Sequence, residues 1–209
     1  MADRQIELAM GNLKAPIGPS SIHLCLDMQR LFGPSGPWST PWMTSVLPTV
    51  VELVERAPPR TVFTRFIPPQ SPDQAHGMWR PYFEKWSAVT RARIDPGLLE
   101  LMPELEKFVP PARVFDKPVY SAFATGELHG ELRRARINTL IITGAETDVC
   151  VLSTILAAVD LGYRIIVVKN ALCSSADESH DALIGLYARR FDLQIELADA
   201  DELLALWKV

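Results

Sequence analysis

Apolar positions in this chain follow two rhythms that alternate from one end to the other. Short runs rich in aliphatic and β-branched residues read as strands buried on both faces of a parallel sheet. Segments between them carry apolar residues three and four apart, the stripe of helices packed on such a sheet. The first run, Ile22-His23-Leu24-Cys25-Leu26, ends at Asp27. A helix over Met43–Arg56 follows, and Pro58-Pro59 stops it. Strand two covers Thr61–Phe66, and a short helix near Leu98–Phe108 leads to strand three at Ala112–Phe115. Glu127–Ala135 reads as a helix and Thr139–Thr143 as strand four, ending at Gly144.

The most regular stripe is Val151, Leu152, Ile155, Leu156 and Val159, which predicts a helix beginning near Cys150 and closed by Gly162. Strand Arg164–Val168 follows. Ser175 and Glu178 are spaced as a capping box for a helix running to about Arg190. A strand near Leu193–Leu197 and a helix over Asp201–Trp207 complete six β/α units. The expectation is an α/β fold in a single domain over residues 1–209. Residues 1–19 read as a loose leading arm. Residues 67–96 read as an irregular, Pro- and aromatic-rich insertion with a short helix near Met78–Trp86, of the kind that forms lids or pocket walls.

Composition narrows the function classes. With 48% hydrophobic and 22% charged residues the chain suits a globular enzyme, and a net charge of −4 argues against a nucleic-acid partner. Arg133, Arg134 and Arg136 form a local basic cluster, which suits the end of a helix. No apolar run approaches a membrane span, and the first residues lack a charged-then-apolar signal pattern. Three scattered cysteines are too few for a disulfide framework, so a reducing cytoplasm and free thiols are expected. The four histidines show no ligand spacing, and neither metal nor other cofactor is expected. The apolar excess of the insertion makes self-association, as a dimer or tetramer, the expected state.

Three residues share one address. Asp27 ends strand one, Lys117 follows strand three, and Cys150 opens the helix after strand four. In open α/β sheets sites form beyond the carboxyl ends of the strands, so the three can converge. A thiol at a helix N-terminus beside an ammonium is expected to favour thiolate. A carboxylate could take the thiol proton and later deliver it to a leaving amine. Each residue also has a plainer reading: Cys150 as a small buried hydrophobe, Asp27 as a turn cap, Lys117 as a solvated surface lysine.

The blocks Asp27-Met28-Gln29, Lys117-Pro118-Val119-Tyr120-Ser121-Ala122-Phe123 and Gly144-Ala145-Glu146-Thr147-Asp148-Val149-Cys150-Val151 resemble the signatures of the isochorismatase-like cysteine hydrolases. The similarity runs in order from about Ser21 to the C-terminus. It implies a three-layer α-β-α fold with a doubly wound, six-stranded parallel sheet. It also implies Cys150 as nucleophile, Asp27 as general base and acid, and Lys117 as the orienting cation. A non-proline cis peptide at Ala145–Glu146 is implied too, aiming the Glu146 and Cys150 backbone N–H groups at one oxyanion.

The family's name-giving members hydrolyse a vinyl ether and lack the cysteine, so retention of Cys150 implies attack on the acyl carbon of a small amide, ureide or carbamoyl substrate. The alternatives are vinyl ether hydrolysis with Asp27 as acid, or a silent binding protein of the same fold. Nicotinamidases of the family carry an Asp-x-His…His metal site after strand two, whereas Thr64-Arg65-Phe66-Ile67-Pro68-Pro69 stands here. The expected pocket draws on Phe32, Trp38, Phe66, Trp79, Trp86, Tyr120 and Phe123, with Arg65 and Glu146 as charged residues nearby.

Overall fold

The computed structural model describes residues 13–209, so residues 1–12 of the expected arm lie outside the described residues. Among the described residues six strands are formed: β1 Ser21–Leu26, β2 Thr61–Phe66, β3 Arg113–Lys117, β4 Thr139–Ala145, β5 Arg164–Cys173 and β6 Ile195–Ala198. They pair in parallel in the order β3-β2-β1-β4-β5-β6. The strand order therefore reverses between β1 and β4, where a crevice opens at the carboxyl ends.

Strand pleating sorts the apolar runs onto two faces. Cys25, Phe63, Ile141, Ile166 and Val168 join one core cluster. That side is covered by α1 (Met43–Arg56), α2 (Trp79–Lys85), α3 (Pro103–Glu106) and α7 (Ala200–Leu206). Leu24, Leu26, Leu140, Ile142, Ile165 and Val167 join the other. They pack under α4 (Glu127–Arg134), α5 (Leu152–Asp160) and α6 (Asp177–Arg190). The result is the three-layer α-β-α, doubly wound sheet expected from the sequence. Among the described residues no helix is long and apolar enough to cross a membrane.

Boundaries set by strong breakers match the expectation: α1 and β2 occupy the predicted spans. Others shift. Lys117 is the last residue of β3 instead of following it. β5 runs on to Cys173, because its register against β4 slips between Ile142 and Gly144. The expected Ser175–Glu178 capping box does not form. α6 starts at Asp177 with Ala176 as N-cap, and the Ser175 N–H donates to Glu146 Oε1 (3.1 Å). A capping box does form at α7, between Asp199 and Glu202.

The described part of the expected arm is not loose. Leu13 and Ile17 are buried, and Ile17 bridges to Trp207. Arg164 ties the carbonyls of Ala15 and Pro16 while pairing with Glu196 at 2.7 Å. The sequence hides this because the binding partners lie some 150 residues downstream.

Candidate active site

Asp27, Lys117 and Cys150 reach one point from three different strands. Asp27 stands one residue beyond β1 with φ of 49°, a left-handed conformation that aspartate tolerates better than most residues. Its backbone N–H donates to the Thr64 carbonyl of the neighbouring strand (3.2 Å), and the Thr64 hydroxyl donates to Asp27 Oδ1 (2.6 Å). Lys117, at the end of β3, passes the Phe66 ring with its Nζ 5.3 Å from the centroid. That Nζ lies 2.6 Å from Asp27 Oδ2 and donates to the Val119 carbonyl (3.1 Å) and to Cys150 Sγ (3.4 Å). Both charged side chains are sealed from solvent, at 1% exposure for Lys117 and 0% for Asp27. Ion pairs this deep persist only when their other bonding sites are also met.

Cys150 sits in a π-type turn, Thr147–Val151, that leads into α5. Such turns recur at functional sites. The Glu146 carbonyl accepts from the Val149 and Val151 N–H groups, both at 3.1 Å, which flank Cys150. The Ala145–Glu146 peptide is cis. Thr147 Oγ1 donates to the Cys173 carbonyl (3.2 Å) and lies 2.9 Å from His180 Nδ1. Asp148 Oδ1 accepts from Ser174 Oγ (2.6 Å), and Asp148 Oδ2 from Ser179 Oγ (2.5 Å). Gly144 lets β1 and β4 approach here: a Cβ on it would stand 2.0 Å from the Leu26 carbonyl oxygen, and its φ of +104° suits glycine.

The electrostatics correct one expectation. Burial pushes the Cys150 thiol well above its ordinary range, and the neighbouring Asp27 charge pushes the same way. Lys117 pulls downward and does not win. Burial also works against the charge of Lys117, but Asp27 and then Cys150 hold the ammonium above its ordinary value. The balance at the thiol is therefore upward, against the thiolate expected from a helix N-terminus beside an ammonium. Asp27 Oδ2 faces Lys117 Nζ at 2.6 Å, and the carboxylate stands beside the Cys150 thiol as well, where it can take the thiol proton.

A cavity of about 310 Å³ opens onto Cys150. Of the expected pocket residues, Phe32, Trp38, Phe66, Trp86, Tyr120 and Glu146 line it. Arg65, Trp79 and Phe123 do not. Neighbours on a strand point to opposite faces, so with Phe66 at the cavity Arg65 faces away and pairs with Asp116 (2.8 Å) and Glu100. Trp79 stands behind the wall, edge-on to Tyr120 at 4.7 Å, and lines a second cavity of about 550 Å³. Phe123 is buried in the opposite core, stacked on Tyr163 at 5.7 Å.

The reading of the sequence missed Pro37, Ser39, Tyr82, Val149 and Ser175, which also line the cavity. The four-residue spacing of Tyr82 and Trp86 is a legible signal for one helical face. Ser175 had none, because the extension of β5 is what delivers it. After β2, Pro68 and Pro69 supply no side-chain ligands, and among the described residues no group of three or more His, Cys, Asp or Glu side chains is placed to hold a metal ion.

Comparison with known proteins shows the family and the fold. The model of the isochorismatase domain matches residues 21–199. An uncharacterized isochorismatase family protein, PncA, of Bacillus subtilis (strain 168) is 35% identical over 98 residues, 46% of this chain and 54% of that protein. The chain thus spans about half the length of that curated relative. A cysteine hydrolase from Pseudomonas syringae pv. phaseolicola 1448A shares the fold with a TM-score of 0.76 at 21% identity, covering 92% of this chain and 94% of the other. N-carbamoylsarcosine amidase from Thermoplasma acidophilum follows with a TM-score of 0.70 at 22% identity, covering 87% and 96%.

Proposed function

The chain belongs to the isochorismatase family, and from that premise we propose that it is a cysteine-dependent hydrolase of a small amide, ureide or carbamoyl substrate. One observation carries the reading: Cys150, which lines an open cavity, has its Sγ 3.4 Å from Lys117 Nζ, which lies 2.6 Å from Asp27 Oδ2. A vinyl ether hydrolase working by acid alone has no use for a thiol there.

The upward push on the thiol shapes the mechanism: its proton leaves as sulfur attacks the acyl carbon. Asp27 takes that proton while Lys117 stabilises the negative charge developing on sulfur. The oxyanion is received by the Glu146 and Cys150 N–H groups. Asp27 then passes its proton to the leaving nitrogen, the C–N bond breaks, and ammonia or an amine departs from a thioester (or S-carbamoyl) enzyme. Water, deprotonated by Asp27, attacks the acyl carbon. The acid leaves, and the thiol recovers its proton from Asp27.

The test is ammonia release across a panel of primary amides, ureides and carbamoyl amino acids, with mass spectrometry of acid-quenched enzyme. A covalent acyl adduct on Cys150 is expected, and Cys150→Ala is expected to lose at least about 10³-fold in turnover while its melting temperature moves little. Full activity in Cys150→Ala would refute the covalent route.

A further inference from the structure

The cavity above Cys150 has an unusual balance of surfaces. Its wall is aromatic, organised around Trp38, whose ring centroid lies 6.1 Å from Phe32, 6.0 Å from Phe66, 6.2 Å from Tyr82 and 6.0 Å from Trp86. Its charged side chain is Glu146, and no Lys, Arg or His lines it among the described residues. Lys85, whose Nζ lies 5.5 Å from the Trp86 centroid, is not part of the lining. Lys117 lines the second cavity instead, with its charge answered by Asp27.

Glu146 is half-buried and has no ion-pair partner among the described residues. Its two hydrogen bonds, from the Ser175 N–H (3.1 Å) and the Thr40 hydroxyl (3.4 Å), both end on Oε1. A carboxylate against aromatic rings without a counter-cation repels an anionic ligand and rewards a cationic one. The faces of tryptophan and tyrosine add their own attraction for a cation, above all one that is weakly hydrated.

We propose that the substrate is a short primary amide whose far end carries an alkylated ammonium, seated on the Trp38-centred wall beside Glu146 with its amide carbon at Cys150. This rests on the amide-hydrolase reading and adds the substrate class. The small volume sets the length. Glu146 and Cys150 line the same cavity of about 310 Å³, so only a few bonds can separate cation from carbonyl. The sign of the charge is the sharp part of the claim. An anionic half-amide would bring its carboxylate toward Glu146 with no basic residue in the lining to meet it.

The experiment has two arms, and its probes share one shape: 2-(trimethylammonio)acetamide is cationic and 3,3-dimethylbutanamide is its neutral isostere, with succinamate as the anionic control. In the first arm, binding to the Cys150→Ala protein is followed by quenching of tryptophan fluorescence and by calorimetry. The cationic amide is expected to bind about tenfold or more tighter than its neutral isostere, with succinamate weakest. That preference is expected to shrink severalfold in Glu146→Gln and in Trp38→Leu, each compared as a ratio of the two isosteres. Equal binding of the isosteres, a preference for succinamate, or a ratio unmoved by both substitutions overturns the proposal. In the second arm, ammonia release by the unmodified enzyme is measured with the same three amides. Cation-selective binding without turnover or adduct would leave the recognition standing and overturn the hydrolase reading instead, so the two failures are told apart.

Discussion

Replacing Lys117 by Met removes one charge from a sealed pair and keeps most of the side-chain volume. At 2.6 Å the attraction between Nζ and Asp27 Oδ2 is roughly 6 kcal/mol at an effective dielectric constant near 20. The hydroxyl of Thr64 continues to serve Oδ1 in the variant, but the carboxylate is otherwise buried without a counter-charge. Broken buried pairs cost about 3–5 kcal/mol, which for a chain of this size lowers the melting temperature by about 6–20 °C. The deficit should depend on pH. In the variant the native state gains by protonating Asp27, so over that range it binds more protons than the unfolded chain. Stability then falls as pH rises, and the deficit is smallest in acid. Adding Asp27→Asn to Lys117→Met removes the stranded charge and should recover about 2 kcal/mol or more. Thermal unfolding followed by circular dichroism at several pH values measures all three proteins. Melting of Lys117→Met within about 2 °C of the parent, or a double variant no more stable than Lys117→Met, would refute the account.

Two further outcomes follow from buried groups elsewhere. His23 is enclosed between Thr143 Oγ1 (2.7 Å) and Thr61 Oγ1 (3.4 Å), and burial lowers its pKa to about 3. Between that value and the ordinary one the unfolded chain binds more protons, so acid costs stability: about 2 kcal/mol from His23 between pH 7 and pH 5. Urea unfolding should show a shallower pH slope in His23→Gln, and an unchanged slope removes His23 as the cause. Gly144→Ala forces a Cβ against the Leu26 carbonyl at a positive φ, which should cost about 2–3 kcal/mol for the backbone alone. It should also lower ammonia release, because Leu26 leads into Asp27. Parental values of both urea midpoint and turnover would show that the strands can part there without consequence.

Much of the fold was legible in one dimension. Unalternating apolar runs, interrupted by Pro58-Pro59 and closed by Asp27, locate β1, α1 and β2 because a doubly covered strand needs an apolar side chain on each face. The convergence of Asp27, Lys117 and Cys150 was legible too, since carboxyl ends of parallel strands share one edge of the sheet. What the sequence could not state is direction and surroundings. Whether Arg65 or Phe66 faces the cavity depends on the pleat phase at the end of β2, and Phe123 turns into the opposite core where Tyr163 awaits it. Ser175 reaches the site only through a register slip between β4 and β5. The charge state of Cys150 belongs to the tertiary structure entirely. A helix terminus and a lysine favour thiolate, yet the thiol is pushed upward because burial and Asp27 outweigh them. That sum runs over everything within a few ångströms in space, and the terms come from strands far apart along the chain.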